Sequence, residues 1–521
     1  MEDAILGLDI GTTSTKAVLF ALSGAELATA EKAYPLHTPQ PSWAEQDPEV
    51  LWRALVDVLR ATASEAGQRY RILALALAAQ SGSLLPAAAD GTPVYPIITW
   101  MDGRTEGLVG GWLAEGVEEQ VRPVSGWHLY PGLCLPAIAW LRQHDPETFA
   151  AAGRYLSVND FLVHRLTGRF CTNPSNGGGM QLVDIATGEW SPELCALAGI
   201  EPVQLSPIQP AGAVIGAITA EVSRLTGLPA ETVVVNGGHD QGCTALGLGV
   251  TTPGKILLGC GTAWVITGVA EAPDPSGASG FHPEESEGSW AQALPDSLDL
   301  NFLPVPQAEP MRWAMSQSLG GLGASLEWLV RQWWLGAGAG SSGQPMPEGA
   351  RKQAYAALDG ELEGTRPGGD GLFFQPLTGG HSAPAGEQRG SLLGLRLDHS
   401  RADVGRAVME GAAYELRWAL EPIRSAGMPV EKMWMIGGAA QSPLWPAILA
   451  GVTGVPLSLP QYGHWPAVGA AILAGLGAGL YGTLAEAQAR FERPARQVEP
   501  DRETMPIYDD CFAAYQQLAA R

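Results

Sequence analysis

The chain has 521 residues, 46% of them hydrophobic and only 16% charged, and a formal net charge of −23. That length exceeds what one hydrophobic core usually supports, so two domains or two half-size lobes are expected, and the composition excludes a disordered chain. The acidic balance excludes a nucleic-acid binder, which must neutralise phosphates with Lys and Arg, but leaves room for a small anionic ligand held by backbone N–H groups, one cation and a metal.

The opening MEDAILGLDI carries acids where an export signal needs a basic segment, and the reading is a soluble, cytoplasmic chain. Ile5 to Phe20, ILGLDIGTTSTKAVLF, reads as strand, tight turn, strand: apolar residues run up to Asp9, Gly11 supplies turn freedom, and Ala17 resumes the apolar run. DPEVLWRALVDVLRATASEAG predicts a helix with Asp47 as N-cap and Pro48 in its first turn. RILALALAA predicts a buried strand ending at Gln80 to Ser83. VVVNGGHDQG, Val233 to Gly242, reads as an apolar strand stopped by two glycines, after which a histidine, an acid and an amide follow at once. A plain turn explains the glycines but not an acid held so close to the core.

The second half repeats this order. KILLGCGTAWVITG, Lys255 to Gly268, is again an apolar run, a Gly-Thr turn and an apolar run; the helical DVGRAVMEGAAYELRWALEPIR, the strand-like KMWMIGG and a helix starting near Ser442 come later. Two such copies predict two similar α/β lobes, residues 1–250 and 251–521, with a cleft between them and a boundary near Thr251 to Lys255. LGAGAGSSGQPMPEG, Leu335 to Gly349, reads as a flexible surface loop. AVGAAILAGLGAGL is too short and Gly-rich for a membrane span, which needs about 20 apolar residues, and reads as a buried helix and its turn. The 6 cysteines are scattered without a C-x-x-C pair, as reduced, buried cysteines would be.

GAGSSG and GAGLYG satisfy G-x-G-x-x-G, but 66 glycines make chance matches expected, and neither lies between a strand and a helix as a dinucleotide site requires. A P-loop is absent, as are H-E-x-x-H and any Cys/His cluster, so neither a structural nor a catalytic zinc is expected. The pair of Gly-Thr hairpins remains. A tight turn points successive N–H groups into one concavity, and threonine hydroxyls add donors, which suits a nucleotide's phosphates. Asp9 precedes the first turn, where a carboxylate can hold Mg²⁺ directly or through water, and Lys16 can add a point charge. An ordinary β-hairpin with a capping aspartate explains one such element alone. Two in matching places, followed by IGGAAQS at a strand end, favour phosphate binding.

With these stretches the chain resembles the FGGY carbohydrate kinases of the actin, Hsp70 and hexokinase superfamily. DIGTTSTK looks like the family's first phosphate motif, LGCGTAW its second, IGGAAQSPLW its adenosine motif, and GSLLGLRLDHSRADVGRAVMEG its C-terminal signature. SWAEQDPE, TWMDGRT, NDFLVHRLTG and FFQPLTGG match in order along nearly the whole chain, and the arrangement looks closest to the xylulokinases. The resemblance implies an α/β fold of two ribonuclease-H-like lobes, of the actin/Hsp70/hexokinase type, around an interlobe cleft that closes on substrate. It implies ATP and Mg²⁺ as cofactors, a small sugar as partner, and a homodimer. D-Xylulose is the first substrate expected; another ketose, a polyol or a sugar acid (ribulose, erythritol, glycerol, gluconate) is the second reading. A non-catalytic, nucleotide-gated sugar-binding protein is the reading from another class.

Residue by residue, the family's G-G-x-D motif places a general base at Asp240. A sugar hydroxyl is a poor nucleophile at neutral pH, and a carboxylate within hydrogen-bond reach can take its proton as it attacks the γ-phosphorus. Asp9 would position Mg²⁺ and the β/γ-phosphates, with Gly11, Thr12, Thr13, Lys16, Gly261 and Thr262 around the phosphate oxygens. Gly437 and Gly438 would let the backbone approach the adenosine, with Gln441 near the adenine or ribose. On the sugar side the resemblance implies Asp102 in WMDGR, Gln241 after the base, and Gln80, Ser81 and Gly82. Two departures stand out. Ser81 and Gly82 replace the usual Met-His pair, a change expected to enlarge that wall. His239 beside Asp240 either orients a hydroxyl or packs.

Overall fold

The computed structural model describes residues 1–271, 297–306, 312–335, 346–377, 389–461 and 463–519. The first hairpin forms as read: β1 (Glu2–Ile10) and β2 (Ser14–Ala21) pair antiparallel, with Asp9 opposite Lys16. β3 (Glu26–Ala33), β4 (Tyr70–Ala79), β5 (Val214–Ala217) and β6 (Val233–His239) complete a sheet in the order β3-β2-β1-β4-β6-β5. β1, β4 and β6 run parallel. Their near-continuous apolar sequences fit strands covered on both faces, and β4 is buried at every position from Ala74 to Ala79.

The second lobe has the same plan. β7 (Gly254–Cys260) and β8 (Trp264–Glu271) form the hairpin, β9 (Asp299–Phe302) and β10 (Arg312–Gly320) extend it, and β11 (Val430–Gly437), β12 (Leu457–Pro460) and β13 (Ala495–Val498) continue beyond β7. The order is β9-β10-β8-β7-β11-β12-β13, with β7, β11 and β12 parallel. A hairpin whose first strand is followed in space by two parallel strands thus occurs in both sheets. This is the two-lobed α/β architecture expected from the repeat.

The helices stop and start where their caps dictate. α1 (Pro48–Ala66) begins with the Asp47 carboxylate accepting from the Glu49 and Val50 N–H groups and ends at Gly67. The stretch around VVVNGGHDQG behaves differently from its reading. β6 continues through Gly237 and Gly238 to His239, with a register shift against β4 between Val235 and Gly238, and α2 (Asp240–Gly247) starts at once. The glycines are there for close approach: a Cβ on Gly237 would lie 1.8 Å from the Leu77 carbonyl oxygen, and one on Gly238 2.5 Å from Pro304 Cβ. They admit neighbours and do not turn the chain.

The helix near Ser442 also forms, after a short 3-10 turn at Gly438–Gln441: the Ser442 hydroxyl accepts from the Leu444 and Trp445 N–H groups at 3.2 and 3.1 Å. α3 (Arg401–Ser425) covers the second sheet. The apolar run near the C-terminus is the buried helix α4 (Trp465–Gly477), but the sheet it buries belongs to the first lobe. A Cβ on Gly7 of β1 would lie 1.8 Å from the Ala467 carbonyl oxygen, and one on Gly469 only 1.9 Å from that of Cys243 in α2. Glycines at these crossings let α4 lie against both β1 and α2, so the lobes share one apolar seam.

Most of the loop expected from Leu335 to Gly349, and the last three residues of FFQPLTGG, lie outside the described residues; a helix already begins at Glu348. The 6 cysteines are all unpaired, and all but Cys511 are buried. Among the described residues no helix is long and apolar enough to cross a membrane.

Candidate functional site

β1, β4 and β6 are parallel, so Asp9, Gln80 and Asp240 emerge on one edge of the first sheet: Asp9 pairs with Ala78, and both Ile10 and His239 with Ala79. Open α/β sheets bind ligands at this edge, outside the carboxyl ends of their strands. The Asp9 carboxyl is pushed up to about 6, first by burial and then by the charge of Asp240, with Lys16 pulling the other way. Lys16 is itself shared with Glu31 at 3.5 Å.

Two mutually repelling acids at a strand edge suit a divalent cation. Mg²⁺ keeps several waters and takes phosphate oxygens, so one or two protein carboxylates are enough. Among the described residues there is no group of three or more His, Cys, Asp or Glu that would make a fully protein-built metal cage. Asp9, with the neighbouring turn, therefore fits Mg²⁺ held mainly by water and phosphate.

Asp240 is the first residue of α2, and its side chain keeps 28% of its surface exposed. One oxygen, Oδ1, accepts from the Gln241 N–H at 2.6 Å and lies 2.9 Å from His239 Nε2. Gln241 is exposed beside it. His239 thus lies against the adjacent carboxylate.

Asp102 is placed otherwise. It is buried, and both of its oxygens are engaged: Oδ1 accepts from Arg104 Nε at 2.7 Å and the Arg104 N–H at 2.9 Å, while Oδ2 accepts from Arg104 Nη2 at 2.8 Å and the Ala44 N–H at 2.6 Å. Arg104 also reaches Glu45 at 2.6 Å and stacks on Trp43, its Cζ 3.8 Å from the ring centre. This bidentate pair braces the loop that carries Trp100, itself half-exposed.

Gln80 is likewise buried and fully used. Its Nε2 donates to Gln46 Oε1 at 2.9 Å and lies 3.4 Å from the Gly11 carbonyl, while its Oε1 accepts from the Thr12 and Ser83 hydroxyls, each at 3.2 Å. Trp100 Nε1 donates to the same Thr12 hydroxyl at 2.9 Å, and Gln46 Nε2 donates to the Thr12 carbonyl. Gln80 is thus a strut between the first Gly-Thr turn and the loop that carries Trp100. Thr12 is its anchor, and Thr13 is the exposed residue of that turn. Gln46 took no part in the site read from the sequence, although it stood inside the matched SWAEQDPE.

At Gly82 the space expected from the sequence is taken up by neighbours. Gly82 has φ +77°, and a Cβ there would lie 2.9 Å from Leu133 Cδ2 and 3.3 Å from Trp100 Cβ. Leu133 and Trp100 fill the space that a larger side chain would take.

In the second lobe, Cys260 pairs with Gly437, which brings the second Gly-Thr turn beside the end of β11. Gly261, Thr262, Gly437, Gly438 and Gln441 are all exposed there. The two glycines differ. Gly437 has φ +101°, and a Cβ would lie 2.5 Å from the Cys260 carbonyl oxygen, so the fold itself demands glycine. Gly438 has nothing within 4 Å of its Cβ position, which leaves open space for a ligand.

Comparison with known proteins agrees with this geometry. The family model "FGGY family of carbohydrate kinases, N-terminal domain" matches residues 4–247, and that of the C-terminal domain matches residues 279–478. The chain is 30% identical over 518 residues to the L-xylulose/3-keto-L-gulonate kinase of Escherichia coli, covering 99% of this chain and 96% of that protein. It is 28% identical to the E. coli xylulose kinase, covering 91% and 90% of the two chains. The crystal structure of xylulose kinase from Rhodospirillum rubrum superposes with a TM-score of 0.86 at 27% identity, over 99% of this chain and 98% of that one.

Proposed function

Because the chain belongs to the FGGY family of carbohydrate kinases, and so transfers phosphate from ATP to a sugar hydroxyl, we propose that Asp240 is its general base and that a neutral five-carbon ketose, D-xylulose first, is its substrate. The observation that carries the base is the half-engaged carboxylate. Asp240 Oδ1 accepts from the Gln241 N–H and lies beside His239 Nε2 while the side chain stays partly exposed at the strand edge, which leaves Oδ2 to accept. In the reaction the sugar oxygen forms a bond to the γ-phosphorus, the bond between that phosphorus and the β–γ bridging oxygen breaks, ADP leaves, and the hydroxyl proton passes to Asp240 Oδ2. Mg²⁺ held at Asp9 would neutralise charge on the phosphates when bound. The exposed Gly261–Thr262 turn offers N–H groups to phosphate oxygens, and the space over Gly438 suits the nucleoside.

The charge balance favours a neutral substrate over a sugar acid. The two cations on the site's own loops are already compensated, Arg104 by Asp102 and Glu45 and Lys16 by Glu31. A carboxylate on the substrate would meet Asp9 and Asp240, and the described residues of these loops offer no further cation to balance it. The closed wall at Gly82 favours a small substrate as well. A division between lobes at residues 250 and 251 is supported by the gap between the end of α2 at Gly247 and the start of β7 at Gly254.

Purified protein with Mg-ATP and a panel of D-xylulose, L-xylulose, ribulose, erythritol, glycerol and gluconate, read as ADP release, tests the substrate. Turnover of xylulose ahead of the rest is expected; rapid turnover of glycerol or gluconate with none of xylulose would overturn the assignment. Asp240→Asn is expected to lower kcat by roughly 10²- to 10⁴-fold while leaving ATP binding unchanged. A variant that kept most of its turnover would show that another group takes the proton.

A further inference from the structure

β9 belongs to the second lobe's sheet, yet its side chains act on the first lobe. Asp299 Oδ1 accepts from the His128 N–H at 2.9 Å and lies 2.8 Å from His128 Nδ1, and its Oδ2 accepts from the Tyr130 hydroxyl at 3.0 Å. The Leu300 N–H donates to the Gly126 carbonyl at 2.7 Å. Asn301, next along the strand, reaches the histidine beside the proposed base. Its Nδ2 donates to the Ser175 carbonyl at 3.0 Å and lies 3.4 Å from His239 Nδ1. Ser175 Oγ in turn accepts from the His239 N–H at 2.9 Å. Room for the Asn301 amide comes from Gly178, where a Cβ would lie 2.3 Å from Asn301 Oδ1.

These contacts determine where the His239 proton sits. Asn301 Oδ1 accepts from the Phe302 N–H at 2.8 Å, and its other end faces a carbonyl, so the end turned to His239 is the NH₂. An NH₂ only donates, so His239 Nδ1 must accept, and the imidazole carries its proton on Nε2. Nε2, with its proton, then lies 2.9 Å from Asp240 Oδ1. The Gln241 N–H ends on that same oxygen. Both local groups therefore lie against one oxygen of the carboxylate, and Oδ2 carries no hydrogen bond among the described residues.

Resting on the reading of Asp240 as the base, we propose that His239 is a positioning residue for that carboxylate, and that Asn301, from the opposite lobe, sets its tautomer. The base is fully oriented only when β9 lies against the first lobe, so lobe contact and base orientation are coupled. His239 touches no reacting atom. Its effect belongs in kcat, through the aim of Oδ2, and not in the affinity for ATP or sugar.

Four variants of the full-length protein test this. His239→Leu removes the donor and is expected to lower kcat by roughly 10²-fold with both KM values changed by less than about threefold. His239→Gln keeps an N–H donor and is expected to recover at least about a tenth of wild-type kcat. Asn301→Asp presents acceptors to Nδ1, so the ring either gives up its Nε2 proton or becomes an imidazolium that weakens Asp240 as a base, and kcat is expected to fall with the KM values again unchanged. Asp240→Asn with His239→Leu should be no slower than Asp240→Asn alone, because residues acting as one unit are not additive. Wild-type kcat in His239→Leu or in Asn301→Asp overturns the proposal, as does His239→Gln falling as far as His239→Leu. Failure of the base reading looks different: Asp240→Asn itself stays active. If Asp240→Asn is inactive and His239→Leu is unimpaired, only the positioning role is lost. ADP binding and thermal unfolding of each variant show whether the fold is intact, and an unfolded His239→Leu leaves the decision to His239→Gln and Asn301→Asp.

Discussion

The two Gly-Thr hairpins are one element built twice, and they differ in charge. In the first, Asp9 stands two positions before the turn glycine and faces Lys16 across the ladder. In the second, Gly259 holds that position and faces Val265, and the turn runs into the fully buried Trp264. One hairpin has an acid held near 6 beside a cation; the other presents neutral, exposed backbone. Neutral N–H groups suit phosphate oxygens unaided, whereas the acid is useful there only with a cation between it and the phosphates. The neighbouring strands differ in the same sense. In the first sheet the second parallel strand beyond the hairpin, β6, leads into Asp240, while its counterpart β12 ends at Pro460. Duplication supplied two cradles, and acids were placed around only one.

Substitutions at matching positions break or sharpen that contrast. Asp9→Asn is expected to lower kcat by roughly 10²-fold or more, since it removes charge stabilisation at the transferring group; the sugar dissociation constant, read by tryptophan fluorescence, should stay unchanged. Turnover near wild type would mean that the first hairpin works as the second does, through backbone alone. Gly437→Ala comes next, because it forces a side chain into φ +101° against the Cys260 carbonyl. A loss of about 2 to 3 kcal/mol in denaturant unfolding is expected, together with weaker ATP binding as the second turn shifts.

The pH dependence of the unliganded protein is a smaller effect. Asp9 has its ordinary carboxyl value near 3.8 in the unfolded chain and about 6 in the native one. Between those values the native state binds more protons, so this group's stabilising contribution is full below 3.8 and is lost as pH rises through 6. Thermal unfolding at a series of pH values should show that slope in the wild type and a flatter one in Asp9→Asn. The same proton competes with Mg²⁺, so Mg-ATP should bind more weakly below pH 6 than above it. The smallest change is Gly259→Ala, whose Cβ would meet only the Val265 carbonyl oxygen at an ordinary 3.6 Å. Its kcat and KM should stay within about twofold of wild type; a collapse in either would show that the neutral hairpin, too, depends on that position.

The fold was legible because its signals are local. Asp47 caps α1, apolar runs mark β1, β4 and β7, and Ser442 begins its helix where the polar residue stood. Asp9 and Asp240 could be singled out because each is an acid next to an apolar strand end, where a carboxylate needs a reason. Asp102 and Gln80 were singled out in the same way, and the structure shows both engaged by protein partners. A polar residue after a buried strand has the same letters whether it faces a ligand or a partner, and the partners here, Arg104 for one and Gln46 with Thr12 for the other, are set by packing. Gly237 and Gly238 read as a bend because glycine marks a turn and a close approach alike, and only the Leu77 carbonyl and Pro304 distinguish them.

The sequence by itself determined the elements, their order, the repeat and the two acids at strand ends, because caps, turn glycines and apolar periodicity act within a few residues. Tertiary structure alone decided that α4 from the second half roofs the first lobe's sheet, that Leu133 and Trp100 close the space at Gly82, and that Asn301 reaches His239 from the other lobe. Each of these joins groups far apart in the chain through contacts of a few ångströms, and such contacts exist only once the two lobes have packed.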